Sequence, residues 1–70
     1  MDASVLTPRQ RQYMDALIAT GSLKGMAKAC GTSIESVKAV LKRVRAATGM
    51  TWQPLPLLAV AYDRATRGAR

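Results

Sequence analysis

Glycines and the hydroxyl residues near them divide this chain into short helical segments. Thr7 is followed by a proline, Ser22 follows Gly21, and Ser33 closes the turn that begins at Gly31. Serine and threonine favour the capping position of a helix, proline fits the position after it, and glycine commonly follows the last turn. Because β-branched residues form no alternating run, no strand is expected. The chain is therefore predicted to be all-α.

The start and stop signals predict four helices within one domain of residues 1–70, at about residues 8–20, 22–30, 33–48 and 54–67. With 70 residues, the chain has room for one small core and no second domain. Thr7 and Gln10 have the spacing of a capping box at the start of the first helix. Residues 68–70 are expected to fray.

Apolar residues recur at helical spacing and mark the face that each helix is expected to bury. We expect this buried set to comprise Tyr13, Met14, Leu17, Ile18, Met26, Ala27, Cys30, Ile34, Val37, Val40, Leu41 and Val44. Trp52 lies in the turn before the fourth helix and is expected to cover the base of that helix. Exposure of Trp52 as a contact for a partner is the alternative.

The charge balance points to an anionic partner. The chain has 11 Lys and Arg against 4 Asp and Glu, a net charge of +7. Nucleic acid, an anionic membrane surface and an acidic protein are the candidate partners. The longest apolar run, residues 57–61, is far shorter than the ~20 residues that span a bilayer. Residues 1–4 lack the features of a signal peptide, so no membrane partner and a cytoplasmic location are expected.

Composition argues against an enzyme and against a metal site. The chain has no His and one Cys, so it lacks the four soft ligands of a zinc finger and cannot form an internal disulfide. It also has no paired carboxylates at helical spacing and no Gly-rich phosphate loop. We therefore expect no catalytic residues, no metal and no cofactor.

Residues 22–48 combine a short helix, a tight turn and a longer basic helix, which is typical of a helix-turn-helix. A helix presented in this way fits the major groove of DNA. Lys38, Lys42 and Arg45 project from it in one line, at i, i+4 and i+7. Ser33 and Ser36 could bind phosphate at the helix start.

Three further charged residues are candidates for contact with nucleic acid. Glu35 either complements the helix dipole or accepts a hydrogen bond from cytosine. Arg9 and Arg11 oppose the dipole of the first helix at a small cost, which makes them candidates for phosphate contact.

Three motifs in order resemble LuxR/GerE-type DNA-binding domains. Residues 6–12 (LTPRQRQ) resemble the family's LTPRE opening, and residues 26–33 (MAKACGTS) resemble its IAxxLGIS segment. Residues 36–44 (SVKAVLKRV) resemble its recognition helix, TVKxxLxRI, and Gly49-Met50 resembles its LG[VI]. The resemblance covers about residues 5–65. The chain departs from the family at Gly25, at Cys30 and at residues 52–56, and the first link is about one residue shorter.

The resemblance implies a four-helix domain of the winged-helix-like superfamily, without a wing, whose third helix reads the major groove. It implies that Lys38 contacts DNA, that Ala39, Lys42 and Arg43 face bases or phosphates, and that Ser36 contacts phosphate. It also implies a dimer through the fourth helix, at Leu57, Val60, Ala61 and Arg64. The family's usual receiver or ligand-binding domain is not seen, so a free-standing reader is expected.

The leading hypothesis is a sequence-specific regulator of transcription that binds double-stranded DNA as a homodimer in the nucleoid. A small repressor or auxiliary regulator from a phage or mobile element is expected. One alternative is a protein-interaction module that binds RNA polymerase or a LuxR-type regulator through the fourth helix. Another is a fragment like the promoter-reading region of sigma factors, which the LTPR opening and the apolar fourth helix disfavour.

Overall fold

The computed structural model describes residues 1–67, and within this range it contains helices and no strand. The elements are a 3₁₀ helix (Ala3–Val5), α1 (Pro8–Thr20), α2 (Leu23–Ala29), α3 (Ile34–Thr48) and α4 (Leu55–Arg67). The all-α prediction with four helices is confirmed, and every α-helix bound lies within one residue of its prediction. The 3₁₀ helix was not predicted. The expected frayed end, residues 68–70, lies outside the described residues.

The predicted caps form at the starts of the first three helices. The Gln10 backbone N–H donates to Thr7 Oγ1 at 3.1 Å, and the Thr7 N–H donates to Gln10 Oε1 at 2.9 Å, which completes the capping box. The hydroxyls of Ser22 and Ser33 each accept from the backbone N–H three residues further on. Local side-chain chemistry therefore fixes where these helices begin.

A left-handed glycine ends α2 and shapes the four-residue turn, residues 30–33, that leads into α3. Gly31 has φ +64°, and the Thr32 N–H donates to the Ala27 carbonyl at 2.9 Å. This backward bond is the Schellman arrangement, which satisfies a carbonyl that the helix end leaves unpaired. A side chain at position 31 would be strained at this φ, so the tight turn depends on glycine.

One apolar core joins all four α-helices and the start of the chain. It consists of Leu6, Tyr13, Met14, Leu17, Met26, Ala27, Val37, Leu41, Val44, Leu58 and Tyr62. Of the residues predicted to be buried, Cys30 and Val40 are half-buried and pack against this core. α3 packs against α1 and α2, whereas α4 packs mainly against α1 and the 3₁₀ helix.

The prediction that Ile18 and Ile34 belong to the core is wrong, since both are 38% exposed. Each lies at the edge of its helix's apolar stripe rather than at the centre. Ile18 borders a shallow groove between α1 and α4 instead of being covered by α4. Ile34 is the first residue of α3, and the stripe's buried centre lies further along, at Val37.

A polar contact between α1 and α4 accompanies the apolar packing. The Tyr62 hydroxyl donates to Asp15 Oδ1 at 2.9 Å, across 47 residues of chain. Burial, followed by this bond and the nearby carboxylate charge, raises the pKa of Tyr62 to about 12. On the same side, an Arg11 guanidinium nitrogen donates to the Ala3 carbonyl at 2.9 Å and so ties the 3₁₀ helix to α1.

Candidate nucleic-acid interface

α3 is anchored by a narrow apolar face. Val37 and Val44 are completely buried, and Leu41 between them is nearly so. Spacings of four and three residues place these side chains on one side of the helix. They share the core with Met26 and Ala27 of α2, across the turn. The contact holds α3 along one side, and the side opposite to it is exposed.

The outward face of α3, opposite these anchors, is exposed and basic. We define it by its exposed residues Glu35, Lys38, Ala39, Lys42, Arg43 and Ala46. The exposure of these six residues agrees with the periodicity of the sequence. Together, α2 and α3 carry six of the eleven basic residues and one of the four acidic ones. The positive charge is therefore concentrated on the two helices that the turn joins.

Arg45 differs from Lys38 and Lys42, with which it is predicted to project in one line from α3. Lys38 and Lys42 are exposed, but Arg45 is half-buried, and among the residues described its Nε is buried without a hydrogen-bond partner. All three line one groove beside α3. The helix turns by about 100° per residue, so Arg45 lies closer to the buried face than Lys42 does. The role of Arg45 in DNA contact stays a prediction.

The start of α3 presents hydroxyl groups beside unpaired backbone N–H groups. Ser33 Oγ accepts from the Ser36 N–H at 3.2 Å and lies 3.1 Å from Ser36 Oγ, to which it can donate. With Ser33 as donor, the Ser36 hydroxyl hydrogen is available to an outside acceptor. Glu35 is exposed in this first turn, where a negative charge complements the helix dipole. The Ser36 hydroxyl is therefore a donor for an outside oxygen atom, beside the negative charge of Glu35.

Arg9 and Arg11 lie on different sides of α1. Positions i and i+2 of a helix differ by about 200° of rotation, so the two arginine side chains cannot both face one surface. The Arg9 guanidinium lies 5.8 Å from the centre of the Tyr13 ring, a cation–π contact. Arg11 lines a groove whose other residues belong to α1 and α4, among them Asp15 and Tyr62. The structure does not bring Arg11 together with the outward face of α3.

The residues predicted for a dimer contact form one stripe along α4. Leu57 is 51% exposed and Val60 is 46% exposed, while Ala61 is half-buried and Arg64 is exposed. We call these four residues the α4 stripe. Their spacings of three and four keep them together, on the side away from buried Leu58. Three of its four residues are apolar, and residues 1–67 leave Leu57 and Val60 about half exposed.

The expectation that Trp52 covers the base of α4 is wrong, because its side chain is 94% exposed. Instead, half-buried Met50 and Leu55, on either side of it in the chain, pack against the core. The α3–α4 turn thus holds the indole outward. The neighbouring Pro54 marks the start of α4, since its carbonyl accepts from the Leu58 N–H at 3.1 Å. The alternative interpretation of Trp52, a contact for a partner, stays a prediction.

Residues 1–67 contain no group of three or more His, Cys, Asp and Glu side chains that could hold a metal ion. No helix in this range combines the length and apolar character that crossing a membrane requires. A scan of the chain against known protein families, and searches among curated proteins and solved structures, found no match. The outward face and the start of α3 therefore offer a partner hydrogen-bond donors and positive charge.

Proposed function

We propose that the chain is a helix-turn-helix protein of LuxR/GerE type that binds double-stranded DNA and regulates transcription. The observation that carries the proposal is the outward face of α3, which is exposed, basic and held from behind by α2. A helix with its side chains is about 10–12 Å across, and the major groove is about 12 Å wide. α3 is therefore the element proposed to enter the groove.

Lys38 and Lys42 are the central contacts in this proposal. Lysines recognise guanine through its O6 and N7 atoms, and they also neutralise phosphates. Ala39 lies beside them, where a methyl group can touch a thymine methyl without blocking the approach. Arg43 is on the neighbouring flank of the helix and is proposed to reach the backbone. Affinity would come mainly from phosphates and sequence preference from base edges.

The start of α3 is proposed to meet the phosphate backbone. The Ser36 hydroxyl and the first backbone N–H groups supply donors, as helix N-termini do for many anions. Ser33 would act indirectly, because its hydroxyl orients Ser36 and caps the helix. Glu35 is proposed to serve the helix dipole or to accept from a cytosine amino group.

We propose further that two chains pair through the α4 stripe and read a two-fold symmetric site. Leu57 and Val60 expose apolar area that pairing would remove from water. Two copies double the contacts to DNA, which a single small domain needs for tight binding. A compact dimer of this kind, lying over a promoter, would most simply repress.

Selection of bound duplexes from a random double-stranded DNA library tests this function. The proposal expects enrichment of one sequence with two half-sites about one helical turn, or a multiple of it, apart. Single-stranded DNA of the enriched sequence is the control and should compete poorly. Recovery of no preferred sequence would contradict sequence-specific binding.

A second candidate function, a protein-interaction module, is favoured by the apolar surface. The α4 stripe and Trp52 expose large apolar side chains on elements other than α3. Such a module would capture RNA polymerase or another regulator through α4. It would bind its partner without DNA, and its affinity would not depend on Lys38 or Lys42. Those two properties distinguish it from the DNA-binding proposal.

A further inference from the structure

A groove of about 560 Å³ runs beside α3, between the start of α2 and the start of α4. Leu23 of α2, Leu41 of α3 and Leu55 of α4 give it an apolar wall. Lys38, Lys42 and Arg45 also line it, along one side of α3. We call this feature the basic groove. Its volume falls within the range of about 300–1,000 Å³ that is common for small-molecule sites.

The basic groove has the chemistry of a site for an amphipathic anion. Leucines and three cationic side chains line the groove. Among the described residues that line it, none is acidic. Arg45 is only half-buried and lines the groove, so part of its side chain is accessible from it. A carboxylate would pair with the guanidinium, while an attached apolar body would cover the leucines.

We propose that the basic groove binds a small carboxylate with an apolar body, such as a medium-chain acid or an aromatic acid. The carboxylate lies on Arg45, with Lys42 beside it, and the apolar body lies along Leu23 and Leu55. The cationic side of the groove extends from Lys38 to Arg45, which is about 10 Å of helix. That length suits a small molecule better than an acidic helix, which would need several turns of contact.

Binding at this site would also control access to DNA. Lys38 and Lys42 belong both to the basic groove and to the outward face of α3. A bound anion offsets part of their charge and competes with phosphate. This coupling rests on the proposed function, whereas binding of the carboxylate itself does not. The groove would then give a small DNA reader a chemical signal to respond to.

Titration of the full chain with octanoate, followed by its amide NMR shifts, tests the proposal. Octanol supplies the apolar body alone, and acetate supplies the carboxylate alone. Octanoate should shift the amides of Leu23, Leu41 and Arg45. It should also bind at least about tenfold more tightly than either control, because a charge-assisted bond and apolar burial act together.

Arg45→Met keeps much of the length of the side chain and removes the charge. It should weaken octanoate binding about tenfold, the loss typical of a hydrogen bond to a charged group. Arg67→Met, which removes the same charge from α4 outside the groove, is the matched control and should bind octanoate like the original chain. Lys42→Gln, at an exposed position, provides a second test if Arg45→Met fails to fold.

Four results would overturn the proposal. They are no binding of octanoate, equal binding of octanol and octanoate, shifts confined to amides near Leu57 and Val60, and unchanged affinity in the groove variants. Octanoate binding with no binding of DNA would instead leave the groove established and contradict the proposed function. DNA binding without octanoate binding would contradict the groove proposal and leave the proposed function in place.

Discussion

Gly25 lies inside α2 where the last residue of α1 comes closest. A Cβ atom at this position would lie 2.5 Å from Thr20 Cβ and 2.7 Å from Thr20 Oγ1. Glycine normally weakens the interior of a helix by about 1 kcal/mol relative to alanine. Here it permits the tight connection between α1 and α2, so glycine at this position has a steric reason.

Gly25→Ala should therefore destabilise the chain despite the better helix propensity of alanine. Overpacking of this kind costs about 1–3 kcal/mol, more than the propensity gain. Urea unfolding followed by circular dichroism measures the change in the free energy of unfolding. Thr20→Gly removes the opposing Cβ, so Gly25→Ala in that background should lose much less stability. Equal losses in both backgrounds would show that the contact with Thr20 is not the cause.

The Tyr62 hydroxyl makes the stability of the fold depend on pH at the alkaline end. Its pKa is raised from about 10 to about 12, so the folded state holds this proton more tightly than the unfolded state does. The contribution to the free energy of unfolding is complete below pH 10 and is lost as the pH rises toward 12.

Tyr62→Phe should cost about 1 kcal/mol at neutral pH, the usual net value of a hydrogen bond. Asp15 is exposed and can be hydrated in the variant, which keeps the cost small. Between pH 10 and 12 the variant should lose less stability than the original chain, measured by urea unfolding at each pH. Tyr13→Phe retains the Tyr62–Asp15 bond and is the control. Identical alkaline losses in Tyr62→Phe and the original chain would contradict this account.

At the scale of the helices, sequence and structure agree where short-range chemistry decides. Capping by Thr7, Ser22 and Ser33 acts within one helical turn, so residue types at fixed spacings are sufficient to predict it. The turn at Gly31 is equally local. The exposure of Lys38 and Lys42 also follows from periodicity, because a single helix has only one direction in which to face the core. The same periodicity predicted that Arg45 would project outward and Ile34 would be buried, and both predictions are wrong.

The degree of burial could not be predicted from the same pattern. Periodicity identifies which residues share a face, but the neighbouring helices decide how far they cover it. Ile18 and Ile34 remain partly exposed at stripe edges, and Trp52 is held outward by a turn. The environment of Arg45 depends on where α2 and α4 begin in space. The basic groove was missed because its residues come from three helices far apart in sequence.

The α4 stripe is proposed to hold two chains together, and substitutions within it test this contact. Leu57→Asp and Val60→Asp should each weaken the dimer at least about tenfold, because pairing would bury an unpaired carboxylate. Both side chains are about half exposed, so the fold should be retained. Sedimentation or native mass measurement reports the dimer, and circular dichroism reports the fold. Ala19→Asp, an exposed change on α1, is the control. Dimers unaffected by both α4 variants would exclude this interface.

At the scale of the whole molecule, the charges are segregated. Asp15 and Asp63 line a groove between α1 and α4, where Asp63 also pairs with Arg67 at 2.8 Å. Only Glu35 is acidic on α2 and α3, which carry most of the basic residues. The net charge of +7 is therefore unevenly distributed, with the positive charge concentrated on α2 and α3. A polyanion approaching the molecule would be drawn to the turn and α3 rather than to α4.

The proposed contact of α3 with DNA through Lys38 and Lys42 is tested by equilibrium binding to the duplex that the selection enriches. Lys38→Ala and Lys42→Ala should each weaken binding at least about tenfold and reduce the slope of affinity against salt. Arg67→Ala, which removes the same charge from α4, should change affinity by no more than about twofold. Unchanged affinity in both lysine variants would contradict the assignment of α3 as the DNA-reading helix.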